Sequence, residues 1–188
     1  MAVTIAGSAR SLPGFHAPGV GFEQPFAMLE ACHERVQRTL ALLARLRAHV
    51  HQHGVDDDAR QAARDVLRYF DIAAPLHHQD EELHVFPLLL AQGQPAVKAL
   101  VQQLQHDHAT MTADWSAARL GLLRVADGAA TAFSPDAEAA LDQFAARYHD
   151  HIAAEESTAY PQALALLEPD RLAAIGREMA ARRGAKPA

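Results

Sequence analysis

A single cysteine, Cys32, stands in 188 residues, so neither an intrachain disulfide nor a thiolate metal cluster can be built from this chain. Long apolar runs are missing as well. The longest, Val85 to Ala91, falls far short of the roughly 20 residues that a membrane-spanning helix needs. Positive charge is not in excess: a formal net charge of -6 and a pI near 6.0 argue against nucleic acid or an anionic membrane as the main partner. No segment alternates apolar and polar residues with period two, so no sheet is expected. The N-terminus has no basic stretch followed by a long apolar one, so a secretory signal is not read and a cytoplasmic location is expected.

What remains favours helices. The chain is alanine-rich and 49% hydrophobic, with Gly and Pro gathered mostly at its ends and turns, and its length suits one domain with a real core. Residues 1–22 carry Pro13, Gly14, Pro18, Gly19 and Gly21 and read as an irregular arm. A first helix is predicted from Glu23–Pro25 to His53 with Gly54 as its stop. The second runs from an N-cap among Asp56 to Asp58 to about Gln92, the third from about Pro95 to Asp127, and the fourth from the Ser134–Pro135 pair to a point before Pro169. A short fifth helix over about Asp170 to Arg183 and a basic tail follow. The expected fold is all-α: an up-down-up-down antiparallel four-helix bundle over 23–168, with the short helix and tail over 169–188. Pro75, Pro87 and Pro161 fall inside helices two and four and should kink them.

The chain also repeats itself. His77-x3-Glu81-x4-Phe86-Pro87 recurs 74 residues later as His151-x3-Glu155-x4-Tyr160-Pro161. Leu29-x3-His33-x2-Val36-x3-Leu40 recurs 75 residues later as Leu104-x3-His108-x2-Met111-x3-Trp115. Residues four apart lie about 40° apart on a helix, so each His–Glu pair faces one way. The polar residues replace core positions on apolar stripes: Phe70, Ala73, His77, Glu81, His84, Leu88 on the second helix and Leu141, Phe144, Tyr148, His151, Glu155 on the fourth. Four imidazoles and two carboxylates buried unpaired would be very costly. Two divalent cations at a pseudo-twofold axis would neutralise the carboxylates and occupy the imidazole lone pairs, with the glutamates bridging. Imidazole and carboxylate suit Fe, Mn or Zn. His33, His77, Glu81, His108, His151 and Glu155 are therefore the candidate ligands. His84, three residues after Glu81, is a candidate seventh. Its repeat partner is Thr158, which would make the two metals unequal. His78, His106 and His149 break the repeat offset and are disfavoured. Glu82 and Glu156 are expected to face solvent or to accept from imidazole N–H groups. Tyr148 and Tyr160 are read as packing residues.

The segments ACHERV around His33, HHQDEELHVFP from His77, QHDHATM around His108 and HDHIAAEESTAYP from His149 resemble the haemerythrin-like (HHE cation-binding) family over about residues 23–168. The resemblance implies a four-helix bundle holding an oxo- or hydroxo-bridged di-iron centre. It also implies the binding of O2, peroxide or nitric oxide for sensing, storage or scavenging, or the handling of iron. One departure bears on reversible O2 carriage: the oxygen carriers have a second histidine four residues after the one matched by His108, and here that place is Thr112. Their last carboxylate also lies five residues after its histidine, where Glu155 follows His151 by four. The partners expected are a small diatomic molecule or peroxide, with a homodimer as the assembly considered. A peroxidase-like di-iron oxidoreductase and a protein that supplies iron or repairs iron centres are the alternatives.

Overall fold

The computed structural model describes residues 21–185, so the expected arm lies outside the described residues except for its last two. All secondary structure among the described residues is helical. Helix α1 is Pro25–His53, α3 is Pro95–Ala126 and α5 is Pro169–Arg182. Helix α2 spans 57–92 and α4 spans 135–164, each assembled from α-helical pieces and π-helical turns. The predicted punctuation is in place. The Asp56 side chain accepts from the Ala59 amide at 2.8 Å, and the Ser134 hydroxyl accepts from the Ala137 amide at 3.2 Å, each satisfying a first-turn donor. Gly54 and Gly128 end α1 and α3 with φ of 77° and 71°, a conformation that strains any residue with a Cβ. The N-terminal part of α2 packs on both α1 and α3, and α3 packs along the first part of α4. No helix is long and apolar enough to cross a membrane among the described residues.

The prolines do not break their helices. Each is preceded by a five-residue π-turn: Tyr69–Ala73 before Pro75, Glu81–Val85 before Pro87, and Glu155–Ala159 before Pro161. A proline has no N–H to give to the carbonyl four residues back, and its ring crowds that carbonyl. The chain answers by widening the turn ahead of it. The amides of Ala74, Phe86 and Tyr160 reach back five residues, to the carbonyls of Tyr69, Glu81 and Glu155. Such π-turns are uncommon and are frequently found at functional sites.

Two apolar clusters fill the interior. One gathers Val36, Leu43, Val66, Phe70, Trp115, Leu122 and Phe144. The other gathers Phe26, Leu29, Phe86, Leu89, Leu104 and Tyr160, with Ile175 and Met179 of α5. The short α5 is bound closely. A Cβ on Gly176 would lie 1.9 Å from the carbonyl oxygen of Phe22, so glycine is required for that contact. At its end, Asp80 is 1% exposed and accepts hydrogen bonds from Arg182, through Nε at 3.0 Å and through Nη2. Arg183 Nη2 sits 2.6 Å from the other Asp80 oxygen, an ion pair without hydrogen-bond alignment. Arg182→Ala would leave a buried carboxylate with one misaligned partner, a change expected to cost about 3 kcal/mol. The check is a lower midpoint of urea unfolding with an unchanged slope; an unchanged midpoint would show that α5 does not clamp α2.

Candidate metal centre

Among the described residues eight polar or charged ones are buried: His33, His77, Asp80, Glu81, His84, His108, His151 and Glu155. Six of them form one knot. His33 Nε2 lies 3.1 Å from Glu155 Oε2, and His77 Nε2 lies 3.5 Å from Glu81 Oε1. His108 Nε2 lies 3.4 Å from Glu81 Oε2 and 3.7 Å from Glu155 Oε1. His151 Nε2 lies 3.0 Å from Glu155 Oε1 and 3.2 Å from His108 Nε2. The donor atoms fall into two groups able to hold a cation, His33–His77–Glu81–Glu155 and His108–His151–Glu155. Glu155 is common to both.

The outward ring nitrogens are held by a second ring of carboxylates. His33 Nδ1 is 2.8 Å from Glu156, His108 Nδ1 is 3.1 Å from Glu82, and His151 Nδ1 is 3.4 Å from Asp107. A proton on each Nδ1 is donated outward, which leaves the Nε2 lone pairs pointing inward. Those lone pairs then face carboxylate oxygens, acceptor against acceptor. Glu81 Oε2 and both oxygens of Glu155 have no hydrogen-bond partner among the described residues. Unpaired buried carboxylates are costly, and cations between the two sets relieve the conflict. Spacings of 3.0 to 3.7 Å also suit donors sharing one ion with bonds of about 2.1 Å. The residues present thus fit a pair of metal ions.

Protons are the alternative partner, and the electrostatics show how strongly the carboxylates demand a positive charge. Burial pulls the His108 imidazole down, but the close negative charges of Glu155 and Glu81 override it and push it up to about 10. His33 rises in the same way. Burial and the charge of Glu155 raise Glu81 to about 7. Burial acts on Glu155 too, yet His108, His151 and His33 hold it well below the usual carboxylate range. Deep burial and the neighbouring imidazoles hold His77 well below its ordinary value, so His77 offers a free lone pair.

The π-turns explain a residue that the repeat pattern does not reveal. On a regular α-helix, positions 155 and 160 would point about 140° apart. The turn that closes from Tyr160 back to Glu155 brings both side chains to one face. Tyr160 is 2% exposed; its hydroxyl donates to Glu81 Oε1 and lies 3.2 Å from His33 Nε2, and its ring stacks on that of His33. Phe86, its match in the repeat, stacks in the same way on His108 with centroids 5.3 Å apart. Tyr160→Phe should fold and keep its metal, because Phe86 already fills the matched place. Losing a hydrogen bond to a buried carboxylate should still lower stability by about 2 kcal/mol, read from the urea midpoint. No loss would mean that the hydroxyl is not bound to Glu81.

The matching π-turn on α2 sets His84 apart from the centre. It lies within Glu81–Val85, where the wider winding carries it off the His77–Glu81 face. Its Nε2 meets Arg182 at 2.9 Å and Glu178 at 3.5 Å, and it belongs to neither donor group. The structure thus places His84, the expected seventh ligand, apart from the other six candidates. His106 and His149 are exposed, as their broken offset implies, and Glu82 and Glu156 take the accepting role expected of them. His78 does not stay clear of the centre: its ring stacks on His108 with centroids 4.0 Å apart.

Residues 24–163 match the family model described as the Hemerythrin HHE cation binding domain. The chain is also 30% identical over 165 residues to an uncharacterized protein of Haemophilus influenzae, an alignment covering 88% of this chain and 93% of that protein.

Proposed function

Since the chain belongs to the haemerythrin HHE cation-binding family, we propose that it is a non-haem di-iron protein that binds O2, peroxide or nitric oxide as a sensor, store or scavenger. Metal binding itself follows from the family and from the two donor groups. The finer reading takes the helices as an up-down-up-down bundle, with His33, His77, Glu81, His108, His151 and Glu155 as ligands. The observation that carries it is Glu155, fully buried and common to both groups. A carboxylate so placed would be available to a cation in either group.

Six donor residues would leave two ions short of protein ligands, and that shortage leaves room for a small molecule. Bound there, a pair of irons supplies one-electron steps and exchangeable coordination positions. The chain's own residues do the rest. Glu156, Glu82 and Asp107 fix three imidazole orientations, and Tyr160 holds Glu81 in place by hydrogen bonding. The six candidate ligands are each at most 6% exposed, and such burial strengthens the electrostatics among them. The His108–His151–Glu155 group has the fewer protein donors. Thr112 stands where the oxygen carriers have a further histidine, and its hydroxyl is spent on the His108 carbonyl at 2.9 Å. Exogenous ligands are thus expected on that side. Manganese or zinc would suit the same donors, and metal analysis distinguishes them.

Titration of the purified protein with azide, and anaerobically with nitric oxide, tests the reading. Saturable changes in the near-ultraviolet and visible spectrum, abolished in His108→Ala, are expected. A spectrum that neither ligand alters would contradict an accessible di-iron site. A peroxidase-like oxidoreductase is the second reading, favoured by the Tyr160 phenol in contact with His33 and Glu81. It requires peroxide turnover with an added reductant, lost in the ligand variants. For an iron-supply role the chain offers little, since Cys32 is buried and burial pushes its thiol up, away from the reactive thiolate.

A further inference from the structure

A cleft of about 490 Å³ opens beside the centre and reaches the ring of His108. Its wall is aromatic. Phe70, Trp115, Phe144 and Tyr148 line it, with successive ring centroids 4.9 to 5.7 Å apart. The far wall is the stacked pair His78 and His108, and Thr112 lies at the mouth. An apolar cavity of about 150 Å³ is enough for a benzene ring, so this space far exceeds what a diatomic molecule needs. It falls in the range of small-molecule pockets, which pair apolar walls with a few polar groups.

Most of the polar groups here are already occupied. Glu82 accepts from His108 and from Gln105, and Trp115 donates its indole N–H to Asp71 at 2.8 Å. His78 differs. It makes ring contacts with His77, His108 and His151 but no side-chain hydrogen bond among the described residues. An imidazole left without a partner on an aromatic-walled cleft is what a hydroxyl-bearing ring would complete.

We propose that this cleft binds a small uncharged aromatic molecule carrying one hydroxyl, its ring against the Phe70–Trp115–Phe144 wall and its hydroxyl on His78. Offset and edge-to-face contacts among aromatic rings supply the stacking, and the hydroxyl supplies the direction. The site places such a molecule in contact with His108. It thereby names a substrate class for the second reading above and rests on the metal reading for chemistry, though not for binding.

The test uses p-cresol and toluene with the 15N-labelled full chain as purified. Trp115 is the chain's one tryptophan and lines the cleft, so its indole N–H gives a single resonance beside the bound ring. A saturable shift with p-cresol is expected, and it should vanish in Thr112→Phe, which fills the mouth. Ala109→Phe, at another exposed lining position, serves if that variant does not fold. His78→Leu should weaken p-cresol about fivefold, the worth of one hydrogen bond, and leave toluene unchanged. No saturation with p-cresol, or saturation equal in the filled variants, would overturn the site; equal effects of His78→Leu on both ligands would overturn the role of His78. Metal counted in the same samples keeps the two readings apart. Two irons without cresol binding sinks the cleft alone, and cresol binding without metal sinks the di-iron centre alone.

Discussion

Stripping the metal will lower the thermal unfolding midpoint of this protein by about 10 °C. A ligand held at a thousand times its dissociation constant adds about 4 kcal/mol to the folded state, and at this length each kcal/mol moves the midpoint by roughly 2–4 °C. The structure gives the cause. Glu81 and Glu155 are each 0% exposed, and three of their four oxygens have no hydrogen-bond partner among the described residues. Without metal they must draw protons onto His108 and His33, which the same carboxylates raise, and burial opposes that protonation. Calorimetry on purified, chelator-treated and reconstituted protein reads the difference. Equal midpoints in all three would mean that the polar layer is satisfied by its own protons.

The second large effect separates the two donor groups. Glu155→Gln keeps the shape of the side chain but removes the charge shared by both groups, so bound metal should fall from two per chain to fewer than one. His77→Ala touches only the group containing His33 and Glu81 and should leave about one metal. Circular dichroism confirms that each variant is folded before metals are counted. If both variants lose the same amount, the two groups are not independent subsites linked through Glu155; if both keep two metals, the ligand assignment is wrong.

The helices were legible because their ends are marked by local chemistry. Asp56 and Ser134 bond the amides expected of N-caps, and Gly54 and Gly128 adopt the left-handed stop. The cluster of six candidate ligands was legible because a carboxylate or imidazole on an apolar stripe stands out, and the matched halves show it twice. What the pattern could not show was backbone register. A stripe drawn at 100° per residue assumes uninterrupted α-helix, and each internal proline replaces one turn by a π-turn. The stripe therefore places Leu88 inward, whereas Leu89 is the residue at 0% exposure. It also turns His84 toward Glu81 and leaves Tyr160 as packing. The prolines were visible, and so was a local disturbance. Its form depends on which carbonyl the amide before each proline reaches. The clamp of Arg182 and Arg183 on Asp80 joins residues about a hundred positions apart, and no local pattern encodes it.

Metal analysis of protein purified aerobically from iron-replete cells decides whether four imidazoles and two carboxylates hold a pair of irons. About two irons per chain are expected, with near-ultraviolet bands of a bridged ferric pair that shift with azide. Zinc alone, or no metal even after anaerobic loading with Fe(II), would contradict that pair.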